Sequence, residues 1–312
     1  MKGTSENQPR VILLQGGLSG EREVSLRSGK AVVKALQGLY PVEVRTVEKN
    51  EFPGSVDPER EVVFSVLHGG FGEDGGMQRL LEEKRWPFVG SGSAASALCM
   101  NKRASKEVVT LEGVPVAAEM ELVSGGWPRW EEVSARLGSP VVVKPNAGGS
   151  SLGLHFPEDA EGWAGATAEM DPEEMILEEW IPGRELSVGI LEDRALEVVE
   201  ICPRSGRYDY QSKYTAGETE YRAPAPLPEE VRAQVGSYAL RAFRALGCRD
   251  YARADFRLSP EGKIVFLEIN TLPGLTPLSL LPQSAEAAGI SFSELLSGLV
   301  HRAWLREASS ET

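Results

Sequence analysis

The 312-residue chain carries 46 acidic residues against 33 basic ones, a net charge of -13; such a surface repels nucleic acid and anionic membranes. No apolar run approaches the roughly 20 residues needed to span a bilayer, and the polar start "MKGTSENQPR" lacks the apolar core of a secretory signal. The expectation is a cytoplasmic enzyme of more than one domain, in which any polyphosphate must be met by a few locally gathered Lys and Arg side chains.

"VILLQ" (Val11–Gln15) reads as a buried strand, followed by the glycine loop "GGLSGEREVS" and a helix over Val24–Leu36. Strand, glycines and helix start are the usual frame of a phosphate loop. Here the glycines fall at 16, 17 and 20, which misses G-x-G-x-x-G and argues against a dinucleotide-binding oxidoreductase. Glu21 and Glu23 would also repel phosphate. "PVEVRTV" is a second strand, and "EVVFSVLHGG" a third that runs into glycines. His68 at its end is either a pocket residue or a structural histidine. "GMQRLLEEK" is a short helix and "PFVGSG" closes the unit. Strands alternating with helices predict an open parallel sheet, an α/β arrangement whose ligands gather at the carboxyl ends of the strands.

From Ala94 the character changes. "AASALCMNKRASKEVVTLEG" is helical and "VPVAAEMEL" extended; "SPVVVKPNAGGSSLG" is a strand running into a glycine-serine loop. "EEMILEEWIPGRELSVGIL" holds two strands about a Pro-Gly turn. The irregular stretch "PRSGRYDYQSKYTAGETEYRAPAPLPEE" is long enough to suggest a working loop. An amphipathic helix, "EEVRAQVGSYALRAFRALG", precedes the strand pair "YARADFRL" and "KIVFLEIN", and Ser291–Arg306 is a terminal helix. Cys99, Cys202 and Cys248 are too scattered for a disulfide framework or a zinc site and read as free thiols.

The strand pair carries the sharpest local signal. It sets Asp255 on one strand and Glu268 and Asn270 on one face of its neighbour. Two carboxylates and a carboxamide suit a hard cation such as Mg²⁺; the alternative is a solvated hairpin. Lys144 ends a strand ahead of Gly148, Gly149, Ser150 and Ser151, a loop rich in backbone N–H donors that either wraps phosphate or is merely flexible. Lys102, Lys213 and Arg253 are surface charges or, with Lys144, the local positive field that polyphosphate requires. Backbone N–H groups at Gly274 and Leu280 and the Ser279 hydroxyl could hold an oxyanion or a carboxylate.

Taken in order, "GEREVS", "LHGGFGEDG", "GSG…ASALCMNK", "KP…GSSLG", "ILEEWIPGRELSV", "YDYQSKY", "RADF" and "EINTLPGLTPLS" resemble the D-alanine–D-alanine ligases of the ATP-grasp superfamily. The resemblance runs from about Val11 to Trp304. It implies a pre-ATP-grasp substrate domain over residues 1–95, a central ATP-grasp lobe over 96–183, and a C-terminal lobe over 184–312 with the metal and catalytic residues. It implies ATP as co-substrate, two D-alanines joined through a D-alanyl phosphate for peptidoglycan synthesis, two Mg²⁺ (or Mn²⁺), and a homodimer. Asp255, Glu268 and Asn270 match the metal ligands; Lys102, Lys144 and Lys213 match the phosphate contacts. Glu178, with the backbone near Glu179 and Ile181, matches the adenine hinge, and Glu185 the ribose contact. Some members carry lysine where Glu179 stands, and the loop "NAGGSS" differs from variants with charges before the serines. Arg253 and the Gly274 N–H match the groups facing the oxyanion. Ser279 and Leu280 match the second substrate's carboxylate site, and His68 also falls in the substrate-binding set. Glu21, Ser150 and Tyr214 match a trio linking the N-terminal domain to two substrate-covering loops, with Glu21 meeting the first substrate's ammonium. The "SKY" tyrosine favours an amine over a hydroxy acid as nucleophile. The rivals are a ligase for another amino-acid pair, such as D-alanine with D-serine or an L-amino-acid pair, and a nucleotide sensor without turnover.

Overall fold

Three sheets follow one another along the chain. The computed structural model describes residues 8–122, 126–208, 212, 213, 215 and 217–310. Strands β1 (Arg10–Gly16), β2 (Val42–Val47) and β3 (Glu61–Ser65) form the parallel sheet the alternation predicts, in the order β2-β1-β3. Val11, Ile12, Leu13 and Leu14 are fully buried, because the central strand of a covered parallel sheet meets apolar neighbours on both faces. Alternate residues serve different clusters. Val11 and Leu13 pack with Val32 and Leu36 of α1 (Arg22–Leu36), whereas Ile12 and Leu14 pack with Met77 and Leu81 of α2 (Gly76–Glu83).

The helical stretch from Ala94 is two helices, α3 (Ser93–Met100) and α4 (Lys102–Leu111). Asn101 breaks it and caps α4, its side-chain oxygen accepting from the Ala104 N–H at 3.0 Å. The extended "VPVAAEMEL" contributes only β4 (Glu119–Met120). β4, β5 (Val141–Pro145) and β6 (Met175–Glu179) form an antiparallel sheet in the order β4-β6-β5. It is covered by α5 (Trp130–Leu137) and α6 (Ala160–Thr167), whose Val133, Leu137 and Trp163 pack against Val141, Val143, Met175 and Leu177.

The two strands about the Pro-Gly turn do not pair with each other. β6 belongs to the central sheet, while β7 (Arg184–Leu191) opens the next one. Gly183 makes the crossing at φ +113°, and a Cβ there would lie 2.2 Å from the Leu258 carbonyl oxygen, so only glycine fits. The third sheet has the order β11-β10-β7-β8-β9, with β8 (Arg194–Pro203), β9 (Thr219–Arg222), β10 (Tyr251–Leu258) and β11 (Ile264–Asn270). β8 and β9 have no counterpart in the sequence reading, and β9 lies inside the stretch read as irregular. Val235, Ala239, Ala242 and Phe243 of α7 (Glu229–Ala245) cover one face of this sheet. On the other lies α8 (Leu280–Ala287), and beyond it α9 (Phe292–Ser310). Leu295, Leu296, Leu299, Val300 and Ala303 of α9 share one cluster with Val11 and Leu13 of the first sheet. The three cysteines are free thiols. Among the described residues no helix is long and apolar enough to cross a membrane.

Candidate active site

The crossing at Gly183 sets the second and third sheets on opposite sides of an open cleft, the concave setting in which small-molecule sites form. Lys102, Lys144, Glu178, Glu179, Ile181, Glu185, Lys213, Asp255 and Glu268 all line it. Nine candidates drawn from six separate stretches of sequence therefore meet around one cleft. Phe156 and Trp180 add an aromatic surface, edge to face at 5.0 Å. Arg257 lies 4.5 Å over the Trp180 ring and donates to the Ile181 carbonyl at 3.0 Å.

The register of the β10–β11 pair places Asp255 opposite Glu268 and Arg253 opposite Asn270. Asp255 accepts from Ser187 at 2.7 Å and from both Arg253 Nε (3.0 Å) and Nη2 (2.8 Å), with Asn270 Nδ2 at 3.4 Å. Glu268 is paired with Lys102 at 3.2 Å. Burial pushes the Glu268 carboxyl up, but Lys102, Lys213, Lys144 and Arg253 outweigh it and hold it down at about 2. Burial opposes the charge on Arg253, yet Asp255 beside it raises its pKa above the ordinary arginine value. Burial, then the neighbouring Lys102, lowers Lys144 to about 8, and burial also lowers Lys213. The chain thus concentrates cations here against its overall charge, as a polyphosphate would require.

Two carboxylates and a carboxamide with no soft ligand are the donor set of a hard cation. Among the described residues no group of three His, Cys, Asp or Glu forms a metal site by itself. A divalent ion bound here would therefore complete its shell with nucleotide oxygens and water, which fits an ion that arrives with a nucleotide.

Both N-terminal glycine loops reach the edge of this cleft. Glu21 stands at the N-terminus of α1 and accepts a hydrogen bond from the Ser150 hydroxyl. Ser151 donates to the Tyr208 carbonyl at 3.0 Å, and Lys102 Nζ donates to the Gly148 carbonyl at 2.6 Å. Ser150 and Ser151 both take φ of 55°, a left-handed conformation uncommon outside glycine, so side-chain bonds at both serines hold the loop in an unfavourable backbone state. The Ser19 hydroxyl donates to the His68 carbonyl at 2.5 Å, and a Cβ at Gly69 would lie 2.7 Å from Glu21 Oε2. The buried His68 ring meets Ser28 Oγ at 3.3 Å and the Leu272 backbone. Burial lowers its pKa against the pull of Glu21, so the ring is neutral near pH 7. A pocket residue and a well-supported histidine are here the same residue.

Gly274, Ser279 and Leu280 gather at the start of α8, apart from the residues lining the main cleft. Ser279 precedes the helix, its Oγ is 2.9 Å from Thr276 Oγ1, and a Cβ on Gly274 would touch it at 2.8 Å. The N–H of Leu280, in the first turn of α8, belongs to the unpaired set at a helix start. Tyr214 lies outside the described residues. Glu179 accepts from the Ala118 N–H at 3.0 Å and pairs with Lys263 at 3.2 Å, so in this chain its side chain is engaged away from a base.

Two desolvated groups escape the sequence reading. Lys106 touches Glu178, whose other oxygen meets Lys144 at 2.9 Å; its spacing of four from Lys102 on one helix face was the available signal. Glu73 accepts from the Gly69 N–H at 2.9 Å, and burial lifts its carboxyl to about 7.

A cationic cleft between two antiparallel sheets, with an acidic pocket on a third sheet at its mouth, is the arrangement of an ATP-grasp ligase. A family model described as "D-ala D-ala ligase C-terminus" matches residues 108–301. A D-alanine–D-alanine ligase from Desulforudis audaxviator is 43% identical over 309 residues, spanning 94% of this chain and 98% of its own. This chain belongs to the D-alanine–D-alanine ligase family. Among solved structures, the D-alanine–D-alanine ligase from Bacillus anthracis complexed with ATP matches with a TM-score of 0.81 at 29% identity, covering 97% of this chain and 100% of that one. A D-Ala:D-Ser ligase from Enterococcus faecalis matches with a TM-score of 0.79 at 28% identity, covering 95% and 99%.

Proposed function

We infer that this chain uses ATP to join two D-alanines into D-alanyl-D-alanine for peptidoglycan precursor synthesis. The observation that carries the reading is the bond between Ser150 of the glycine-serine loop and Glu21 of the amino-acid pocket, which couples a phosphate loop to a site built for an ammonium group. A carboxylate is a poor electrophile, so the first D-alanine must be activated as its acyl phosphate before the second amine can attack. Glu21 pairs with the ammonium of the first D-alanine. Lys102, Lys144 and Lys213 hold the ATP phosphates, Glu178 and the backbone of Glu179 and Ile181 meet adenine, and Glu185 meets the ribose. Arg253 and the Gly274 N–H stabilise the oxyanion that forms when the second amine adds to the acyl phosphate. Ser279, the Leu280 N–H and His68 position the amino-acid substrates, and Tyr214 acts with Glu21 and Ser150. Asp255, Glu268 and Asn270 would hold two Mg²⁺ (or Mn²⁺), whose charge screens the transferring phosphoryl group. The reading includes a cytoplasmic homodimer, which light scattering on the purified chain tests.

Incubation with ATP, Mg²⁺ and single amino acids, with phosphate release as readout, tests the reaction. D-Alanine alone is expected to give release and the dipeptide. No release with D-alanine, or greater release with an L-amino acid or with D-serine added, overturns the substrate assignment. Glu21→Gln should raise KM for the first D-alanine at least about tenfold, the loss of a charge-assisted hydrogen bond, with KM for ATP changed far less. Equal losses for both would remove Glu21 from the ammonium site.

A further inference from the structure

Behind the adenine side of the cleft lies a buried group that the reaction as described leaves without a task. Glu178 is 2% exposed and sits on β6, the middle strand of its sheet, with its side chain lining the cleft. Its Oε2 meets Lys144 Nζ at 2.9 Å and its Oε1 meets Lys106 Nζ. Lys144 lines the cleft, whereas Lys106, 4% exposed, reaches Glu178 from α4 and is not among the lining residues. Burial and the charges of Lys144 and Lys102 disfavour a proton on Lys106 while Glu119 favours one, and the carboxylate that Lys106 touches is Glu178. An ammonium buried at that cost needs a reason.

A carboxylate accepts hydrogen bonds and donates none, while a carboxylic acid does both. With one oxygen held from behind by Lys106, Glu178 stays ionised and fixed in orientation, and lone pairs remain free to face a base edge. Lys144 then has only one Glu178 oxygen to satisfy and keeps further N–H donors for the nucleotide. A purine with a 6-amino group donates to such a carboxylate; one with a 6-oxo group presents an acceptor and is repelled. We propose that Lys106 is a positioning residue for nucleotide choice, holding Glu178 from outside the cleft as the acceptor that selects a 6-amino over a 6-oxo purine triphosphate. This rests on the reading of the cleft as an ATP site and goes beyond it by assigning the source of base selectivity.

The test is calorimetric titration of the non-hydrolysable imido analogues of ATP and GTP, with Mg²⁺, into wild type, Lys106→Met, Lys106→Arg, Glu178→Gln and the double variant Lys106→Met/Glu178→Gln. Lys106→Met should weaken the adenosine analogue about tenfold or more and leave the guanosine analogue unchanged or tighter, as expected when a buried polar contact is lost for one ligand only. Lys106→Arg should restore most of the preference. In the Glu178→Gln background, replacing Lys106 should change adenosine-analogue binding less than about twofold, because the partner it acts through has lost its charge. Equal weakening of both analogues, wild-type selectivity in Lys106→Met, or the same effect with and without Glu178 would overturn the proposal. So would failure of both Met variants to fold by circular dichroism, which would make Lys106 structural. Binding is read without turnover, so a wild-type chain that fails to bind the adenosine analogue strikes the ATP-site reading itself.

Discussion

The carboxyl of Glu73 shows how one residue can hold a loop and tax the fold at the same time. It fixes the turn after β3 by accepting from the Gly69 N–H, and burial raises it to about 7 from an ordinary value near 4.5. A carboxyl whose folded pKa is raised favours the native state most when both states are protonated. Its contribution is full below about 4.5 and is lost as pH rises through about 7. Glu73→Gln keeps a side-chain oxygen for Gly69 but removes the titration. Urea melts of the two proteins should therefore diverge with pH, the wild type losing stability relative to the variant between pH 4.5 and 7.5. Parallel stability curves across that window would show that Glu73 does not titrate there. Nothing in "LHGGFGEDGG" distinguishes this glutamate from a solvated one, because its desolvation comes from other parts of the chain. Asp255 and Glu268 were legible for the opposite reason. They face each other across a single hairpin, and strand register follows from alternation.

At the scale of elements, the turn at Pro182 and Gly183 decides whether there is a cleft at all. Two strands about a Pro-Gly turn read locally as a pair, yet β6 and β7 enter different sheets. Gly183 allows this through a positive φ and a close approach to the Leu258 carbonyl. Gly183→Ala would meet both the strained dihedral and that oxygen, and should lower stability by about 2 kcal/mol or more. Differential scanning calorimetry measures it; an unchanged Tm would mean the turn can relax around a methyl group. The same locality explains what else the sequence withheld. β8 carries Glu197 and Glu200 within an apolar run, and Glu200 is buried only because Arg184 from the adjacent strand pairs with it at 2.6 Å. Long, strongly patterned elements such as β1, α7 and α9 declare themselves, whereas β9 is a strand only because β8 is beside it.

Across the whole molecule, the first and last stretches of chain are bound into one body. Leu295, Leu299 and Val300 of α9 share an apolar cluster with Val11, Leu13 and Phe64. A polar clasp reinforces it: Asp250 accepts from the Gly90 N–H at 2.7 Å and from Arg306 at 2.6 Å, and Arg306 donates to the Phe88 carbonyl at 2.6 Å. Asp250→Ala strands Arg306 and the Gly90 N–H, and should cost about 3 kcal/mol in chemical denaturation. A loss under about 0.5 kcal/mol, the scale of an exposed pair, would mean that water replaces the carboxylate.

The sheet of β4, β5 and β6 with α5 and α6 stands apart, because its apolar core is its own. Its buried apolar seam with the third sheet is a cluster of three residues, Ala117, Ile181 and Val265. In mechanical terms the first and third sheets form an anvil and this sheet a jaw, joined to it by that small apolar seam. Lys102 and Lys106 sit one turn apart on α4, whose Val109 belongs to the core of the anvil, and both reach across the seam, to the Gly148 carbonyl and to Glu178. Of these two latch residues only Lys102 lines the cleft, so under the proposed function a polyphosphate entering there competes with the Lys102 half of the latch, while Lys106 keeps its hold from behind.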